Sequence, residues 1–88
     1  MGWRIEFDPR VEKHLRRIGQ DSARRILSYM HDRVARLETP RMLGKPLKGE
    51  RLELWRYRVG QYRILCMIED EHHVVIVLRI GHRRNISR

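Results

Sequence analysis

The sequence predicts an α+β domain with the element order β-α-α-β-β-β, an antiparallel sheet that carries a helical hairpin on one face. In the first half of the chain, hydrophobic residues recur at the spacing of helices. In the second half, three apolar or alternating runs are separated by polar turns, as in consecutive strands. Helices followed by a run of strands are typical of the α+β class. A chain of 88 residues accommodates one such domain, spanning 1–88.

A short strand and a first helix open the chain. Apolar and polar residues alternate over residues 3–7, which predicts a strand with one buried face. Asp8 followed by Pro9 predicts a helix start, because Asp caps a helix and proline is tolerated at its first position. The helix has one apolar stripe, formed by Val11, His14, Leu15 and Ile18. Gly19 predicts its end, and His14 is expected to be a packing residue rather than a ligand.

A second, longer helix is predicted after Gly19, capped by Asp21 or Ser22. Its apolar residues follow a 4-3-4-3 spacing: Ala23, Leu27, Met30, Val34 and Leu37. The sequence Thr39-Pro40 ends this helix, because proline cannot continue it. Two helices joined by so short a connection are expected to form an antiparallel hairpin.

The remaining chain predicts a basic loop followed by three strands. The segment up to Gly49 contains Gly44 and Pro46 together with Lys45 and Lys48, which is typical of a cationic loop. The strands are predicted at residues 52–59, 62–69 and 73–80, with turns at Gly60-Gln61 and at 69–72. His72 and His73 are neighbours in a turn and point to different sides, so we expect no metal there.

The amino-acid composition restricts the classes of partner and the cellular compartment that we expect for this protein. Twenty Lys and Arg against eleven Asp and Glu give a net charge of +9 and a pI near 11.0, which favours nucleic acid as partner over an acidic protein or an anionic membrane. The single Cys66 excludes an intrachain disulfide and a cysteine-based zinc site, and it favours a reducing cytosol. No apolar run is long enough to cross a bilayer, and the N-terminus does not have the pattern of a signal peptide. We therefore expect a cytoplasmic protein.

Cationic side chains are predicted on one face of the sheet. Because residues alternate sides along a strand, Trp55 and Tyr57 share a core face while Arg56 and Arg58 lie on the other. Arg63 begins the next strand, directly after the Gly60-Gln61 turn. Arginines held on a rigid sheet offer planar forks of donors that suit phosphate or carboxylate.

The chain resembles the RelE/ParE superfamily of bacterial and archaeal toxins. The resemblance rests on the element order and on the run from Trp55 to Ile64, and it is most specific in the Gly-x-Tyr-Arg of residues 60–63 and the Gly-His-Arg-Arg of residues 81–84. It implies the toxin of a type II toxin–antitoxin system with a microbial-ribonuclease-like fold. For the RelE branch, it implies cleavage of messenger RNA in the ribosomal A site without a metal or other cofactor.

The resemblance also implies site residues and partners. Arg56, Arg63 and Arg83 match basic positions of the catalytic cleft. His82 is the candidate for proton transfer, because imidazole as a chemical group can exchange a proton near neutral pH. Further RNA-binding candidates are Lys45, Lys48, Arg58 and Arg84. The implied partners are the ribosome with its messenger and an acidic, RelB-like antitoxin, which would form a hetero-oligomer with the toxin.

Two positions depart from the RelE pattern. A lysine that is common on the first meander strand is Leu54 here, and the C-terminal tyrosine falls on Ser87. Lys48 and Tyr62 are possible helpers of His82. The departures leave two alternatives open, a ParE-like toxin that binds DNA gyrase without cutting nucleic acid, and a non-catalytic RNA-binding module.

Overall fold

The computed structural model describes residues 2–47 and 54–82. Over these residues it contains two α-helices and five strands, which confirms the α+β class. The elements are β1 (Arg4–Phe7), α1 (Val11–Ile18), α2 (Gln20–Tyr29), β2 (Lys45–Pro46), β3 (Leu54–Val59), β4 (Tyr62–Glu69) and β5 (Val74–His82). None of the helices in this part of the chain is both long and apolar enough to cross a membrane.

The strands form one sheet in the order β1-β5-β4-β3-β2. Strands β2 to β5 pair antiparallel, as expected, whereas β1 pairs parallel to β5, with Arg4 beside Val74. Parallel strands need a long connection between them, and here the connection includes the whole helical layer. The sheet is therefore mixed, with β1 at the edge beside the last strand.

Strand β2 falls in the segment for which the sequence predicted a loop. Lys45 pairs with Arg56 and Pro46 with Trp55, so Lys45 belongs to the sheet. Proline has no N–H to donate and occurs in sheets at edge strands, which is where Pro46 lies.

The helix starts differ from those expected. Helix α1 begins at Val11, and Asp8 instead closes a turn in which its Oδ1 accepts the backbone N–H of Arg10 at 3.0 Å. Gly19 ends α1 with φ of 95°, a left-handed value that favours glycine. Helix α2 follows at once from Gln20 without a side-chain cap, so the predicted caps Asp21 and Ser22 lie inside it.

A wide helical turn follows α2. It spans Met30–Val34 with π-helical hydrogen bonding, and the N–H of Ala35 donates to the carbonyl of Met30 at 2.8 Å. Ile26, Met30 and Val34 are fully buried. The predicted stripe included Met30 and Val34 but missed Ile26.

The core lies between the helices and one face of the sheet. Its sheet side includes Ile5 of β1, Tyr57 of β3, Ile64 and Cys66 of β4, and Val77 of β5. A short 3₁₀ turn, Pro40–Met42, closes one end of this core, because its Pro40 carbonyl accepts the buried hydroxyl of Tyr57 at 2.8 Å. Trp3 is likewise buried, with its indole N–H donating to the Glu38 carbonyl at 3.2 Å.

Candidate anion-binding site

Four cationic residues lie together on the sheet face opposite the core. In the register of the strands, Lys45 is directly opposite Arg56, and Arg58 is directly opposite Arg63. Opposed residues of an antiparallel pair share a face and have Cβ atoms within about 5.5 Å of each other. These four residues and Leu43 line a shallow pocket of about 90 Å³, which we call the arginine pocket.

The arginine pocket is electrostatically unusual. Like charges directly opposite on neighbouring strands destabilise a sheet, yet two such pairs adjoin here. No carboxylate is among the described residues that line the pocket. Arg58 is exposed, whereas Arg56 and Arg63 are half-buried and therefore held more firmly. Positive charge concentrated in this way suits an anion such as phosphate, which guanidinium groups bind through paired hydrogen bonds.

An apolar row lies beside the arginine pocket. Leu54 of β3 is opposite Met67 of β4, and Met67 is opposite Ile76 of β5. All three are half-buried, on the face opposite the core. Arg56 is opposite Leu65, so its guanidinium emerges next to aliphatic surface. The Leu54 position that departs from the RelE pattern is thus part of an apolar platform beside the cations.

His82 is not brought to the arginine pocket. It is opposite Tyr62, whose ring centroid lies 5.9 Å from that of the imidazole in an edge-on arrangement. Its Nε2 is 2.9 Å from Oε1 of Gln61. Because Tyr62 alternates with Arg63 along β4, His82 lies on the helix side of the sheet. Proton transfer by His82 within the arginine pocket therefore lacks the geometry that the sequence led us to expect.

Several predicted site residues lie outside the described part of the chain. These are Lys48, Arg83 and Arg84. Their predicted roles stay predictions. Ser87, which departs from the RelE pattern, also lies outside the described part.

Sequence reasoning missed the role of Arg41. Its guanidinium donates to both carboxylate oxygens of Asp70, at 2.9 and 2.8 Å, and lies 5.6 Å from the ring centroid of Trp55. The two partners come from the β4–β5 turn and from β3, so Arg41 attaches the segment before Lys45 to the sheet. Asp70 is 29 residues away along the chain, and no local pattern indicates such a pairing.

One group of metal-type donors occurs among the described residues. The ligand atoms of Glu69, Glu71 and His72 lie within 4.8 Å of one another at the β4–β5 turn. Glu69 is already engaged, since it accepts the backbone N–H of His72, and this bond lowers the pKa of its carboxyl. The group is largely exposed and distant in the sheet from the arginine pocket, and we assign no metal to it.

The fold and the family match define this chain as a toxin of type II toxin–antitoxin systems. The family described as ParE toxin of type II toxin-antitoxin system, parDE, matches residues 5–86. The chain therefore belongs to this toxin family, within the RelE/ParE superfamily that its motifs resemble.

The relatives carry RelE-type names. Toxin RelG of Mycobacterium tuberculosis is 30% identical over 88 residues, covering 100% of this chain and 99% of that protein. Toxin RelE of the same organism is 40% identical over 47 residues, which is 53% of this chain and 48% of that protein.

Solved structures of similar fold include toxin–antitoxin complexes. The toxin-antitoxin complex RelBE2 of M. tuberculosis contains a chain that matches with a TM-score of 0.85 and 28% identity, covering 94% of this chain and 100% of that one. The archaeal RelE-RelB complex of Pyrococcus horikoshii matches with a TM-score of 0.76 and 25% identity, over 98% and 100% of the respective chains.

Proposed function

We propose that this toxin is a ribosome-dependent endoribonuclease that inhibits translation by cutting messenger RNA. The observation that carries the proposal is the presence of two pairs of opposed like charges in the arginine pocket, Lys45 with Arg56 and Arg58 with Arg63. An arrangement that costs the fold stability is expected where it serves binding or catalysis. The likeness to RelG and RelE toxins supports the RelE branch.

The chemistry requires charge stabilisation first. When the 2′-oxygen of a ribose attacks the adjacent phosphorus, a P–O bond forms to the 2′-oxygen and the bond to the 5′-oxygen breaks. The pentacoordinate state in between carries extra negative charge. Arg56, Arg58 and Arg63 line the pocket in which we propose that this phosphate binds, and preorganised cations lower the energy of such a state.

The chemistry also requires proton transfer. A base accepts the 2′-hydroxyl proton, and an acid supplies a proton to the departing 5′-oxygen. Guanidinium groups keep their protons in proteins, so among the described residues that line the pocket only the ammonium group of Lys45 is able to release one. We therefore assign to Lys45 the donation of a proton to the departing 5′-oxygen, and to the arginines the stabilisation of charge. The base that accepts the 2′-hydroxyl proton comes from outside these pocket residues.

An antitoxin is part of the proposal. The similar chains in the M. tuberculosis and P. horikoshii structures are held in complexes with antitoxins. A toxin of net charge +9 attracts an acidic partner, and complementary charge accelerates association. We propose that a RelB-like antitoxin covers the cationic surface and blocks RNA.

In vitro translation tests the proposal directly. The purified toxin is added to ribosomes translating a defined messenger, and cut sites are mapped by primer extension. Arg56→Ala and Arg63→Ala should each slow cleavage by a factor on the order of 10² to 10³, the usual effect of removing one charge-stabilising donor. The matched control is Arg4→Ala, which removes an exposed arginine from the far edge of the same sheet, where it pairs with Glu6 at 3.0 Å. Cleavage unaffected by both pocket substitutions would overturn the proposed site.

The gyrase-binding alternative is favoured by two observations. No imidazole or carboxylate is among the described residues lining the arginine pocket, and the matching family carries the ParE name. On that alternative, the toxin leaves the messenger intact and inhibits DNA supercoiling by gyrase. Running both assays on one preparation separates the two functions.

A further inference from the structure

A second cationic pocket lies on the opposite side of the sheet from the arginine pocket. It has a volume of about 290 Å³ and is formed where α1 meets the start of β4 and the end of β5. The residues that line it include His14, Arg17, Tyr62, Arg79 and His82. We call it the histidine pocket.

The histidine pocket has an unbalanced positive charge. Arg17 and Arg79 are exposed, and neither forms an ion pair within the part of the chain that the structure describes. No carboxylate is among the described lining residues. Burial, together with the nearby charges of Arg17 and Arg79, lowers the pKa of His14 below its ordinary value. The pocket is therefore suited to bind an anion, because no carboxylate among its described lining residues neutralises the positive charge.

Its two histidines are held in defined positions. Nδ1 of His14 accepts the backbone N–H of Ile80 at 3.1 Å. The neutral ring therefore carries its proton on Nε2, where it acts as a donor. His82 is fixed by Gln61 and by its edge-on contact with Tyr62. Fixed donors next to guanidinium groups bind an anion at low entropic cost.

We propose that the histidine pocket binds a phosphodiester of RNA, as a second phosphate contact separate from the arginine pocket. This inference rests on the proposed RNA-cleaving function. RNA fits better than an acidic peptide because Tyr62 lines the pocket together with Arg17 and Arg79, and proteins that bind single strands combine basic grooves with rings on which bases stack.

The two pockets are close along the chain. Tyr62 and Arg63 are consecutive and point to opposite faces of β4, and the Gly60-Gln61 turn forms the end of the sheet beside them. An RNA strand that leaves the arginine pocket around this end of the sheet reaches the histidine pocket. The phosphodiester belongs either to the messenger or to ribosomal RNA.

Salt-dependent binding tests the inference. The affinities of the wild-type toxin and of the double variant Arg17→Ala/Arg79→Ala are measured over a range of salt concentrations. The two ligands are a short single-stranded RNA and ribosomes without messenger. Each lost phosphate contact lowers the slope of log K against log salt by about 0.7 for single strands. We expect such a reduction for the double variant. In a separate NMR experiment on the wild-type protein, inorganic phosphate should shift the ring resonances of His14 and His82. An effect on the short RNA assigns the phosphate to messenger, and an effect confined to ribosomes assigns it to ribosomal RNA.

Arg16→Ala is the matched control, because Arg16 precedes Arg17 on α1 and pairs with Glu12 at 3.1 Å. An equal loss in Arg16→Ala would show a general charge effect and overturn the inference. The inference would also be overturned if the double variant kept the wild-type slope of log K against log salt for both the short RNA and the ribosome. Weakened antitoxin binding together with intact RNA binding would overturn it as well. If the histidine-pocket inference is overturned but the double variant Arg56→Ala with Arg63→Ala abolishes RNA cleavage, the proposed function stands. If no variant of either pocket alters RNA binding or cleavage, the inference and the proposed function both fail.

Discussion

His14 of α1 and Ile80 of β5 are joined by a hydrogen bond between the imidazole Nδ1 and the backbone N–H, at 3.1 Å. The bond lies next to an irregularity in the β4–β5 pairing, where Leu65 is opposite Arg79 but Cys66 is opposite Val77. Leu78 is the extra residue of this bulge, and bulges redirect the strand that carries them. His14 therefore fixes the end of β5, on which Gly81 and His82 follow.

Removal of the imidazole should destabilise the fold. In His14→Ala the half-buried N–H of Ile80 loses its acceptor, which costs about 1–3 kcal/mol in the free energy of unfolding. Urea denaturation measures the loss. His31→Ala is a suitable control, because His31 is an exposed histidine on the turn after α2. Equal losses in the two variants would contradict a specific role for the His14 bond.

The burial of His14 predicts a pH dependence, because burial is the main cause that lowers its pKa. The folded protein lowers the pKa of His14 below its ordinary value of 6.5, so the unfolded chain binds more protons in the interval between the two values. The stabilising contribution is thus complete above pH 6.5 and is lost as pH falls through that interval.

The measurement compares wild type with His14→Asn from pH 5 to 7.5. The other histidines contribute equally to both proteins, so the difference in unfolding free energy between them reports on His14. It should shrink as the solution becomes more acidic. A constant difference would contradict the prediction.

The sheet face of each strand residue was predictable because alternation depends only on the strand itself. The burial of Tyr57, at 1% exposed, and the exposure of Arg58 confirm it. Clustering of Arg56, Arg58 and Arg63 followed from this alternation and from the short Gly60-Gln61 turn, which sets the register.

Long-range pairing was not predictable in the same way. Lys45 joins the arginine pocket through a two-residue strand that contains Pro46, a pattern typical of loops. The parallel placement of β1 depends on the sheet as a whole. The sequence makes His82 the proton-transfer candidate beside the arginines because an imidazole can exchange a proton near neutral pH, but the pairing of Tyr62 with His82 puts it on the opposite face.

Cys66 should report on unfolding. Its side chain is fully buried, and burial raises the pKa of its thiol, so the reactive thiolate is scarce in the folded state. We expect the native protein to resist a thiol reagent such as dithionitrobenzoate and to react rapidly in urea. The rate should follow the unfolded population as the urea concentration rises, and fast labelling under native conditions would contradict the burial.

Arg41 should influence the arginine pocket from a distance. Arg41→Ala removes the contacts with Asp70 and Trp55 that hold the segment leading to Lys45. The cost in stability is expected to be at most about 1 kcal/mol, because the Asp70 end of the ion pair is exposed. Cleavage should nevertheless fall, since Lys45 loses its fixed position. Asp70→Asn, which keeps the shape of the side chain, should give a smaller effect in the same direction; unchanged cleavage in Arg41→Ala would exclude the positioning role.

The charge of Arg58 should lower the stability of the fold while it supports RNA binding. It faces Arg63 directly across the β3–β4 pair, and opposed like charges cost about 0.2–1 kcal/mol. Arg58→Gln keeps most of the side chain and removes its charge, so the free energy of unfolding should rise by that amount at low salt. The gain should fade at high salt, where screening already weakens the repulsion.

RNA binding should change in the opposite direction in Arg58→Gln. Affinity falls, and the slope of log K against log salt decreases by about 0.7 if Arg58 contacts one phosphate of a single strand. Arg4→Gln, at the far edge of the same face, is the control and should alter neither stability nor RNA affinity by a comparable amount. If Arg58→Gln is less stable than wild type and binds RNA equally well, the prediction is wrong. The two opposed arginines would then stabilise the fold, because other groups of the protein would offset the repulsion between them.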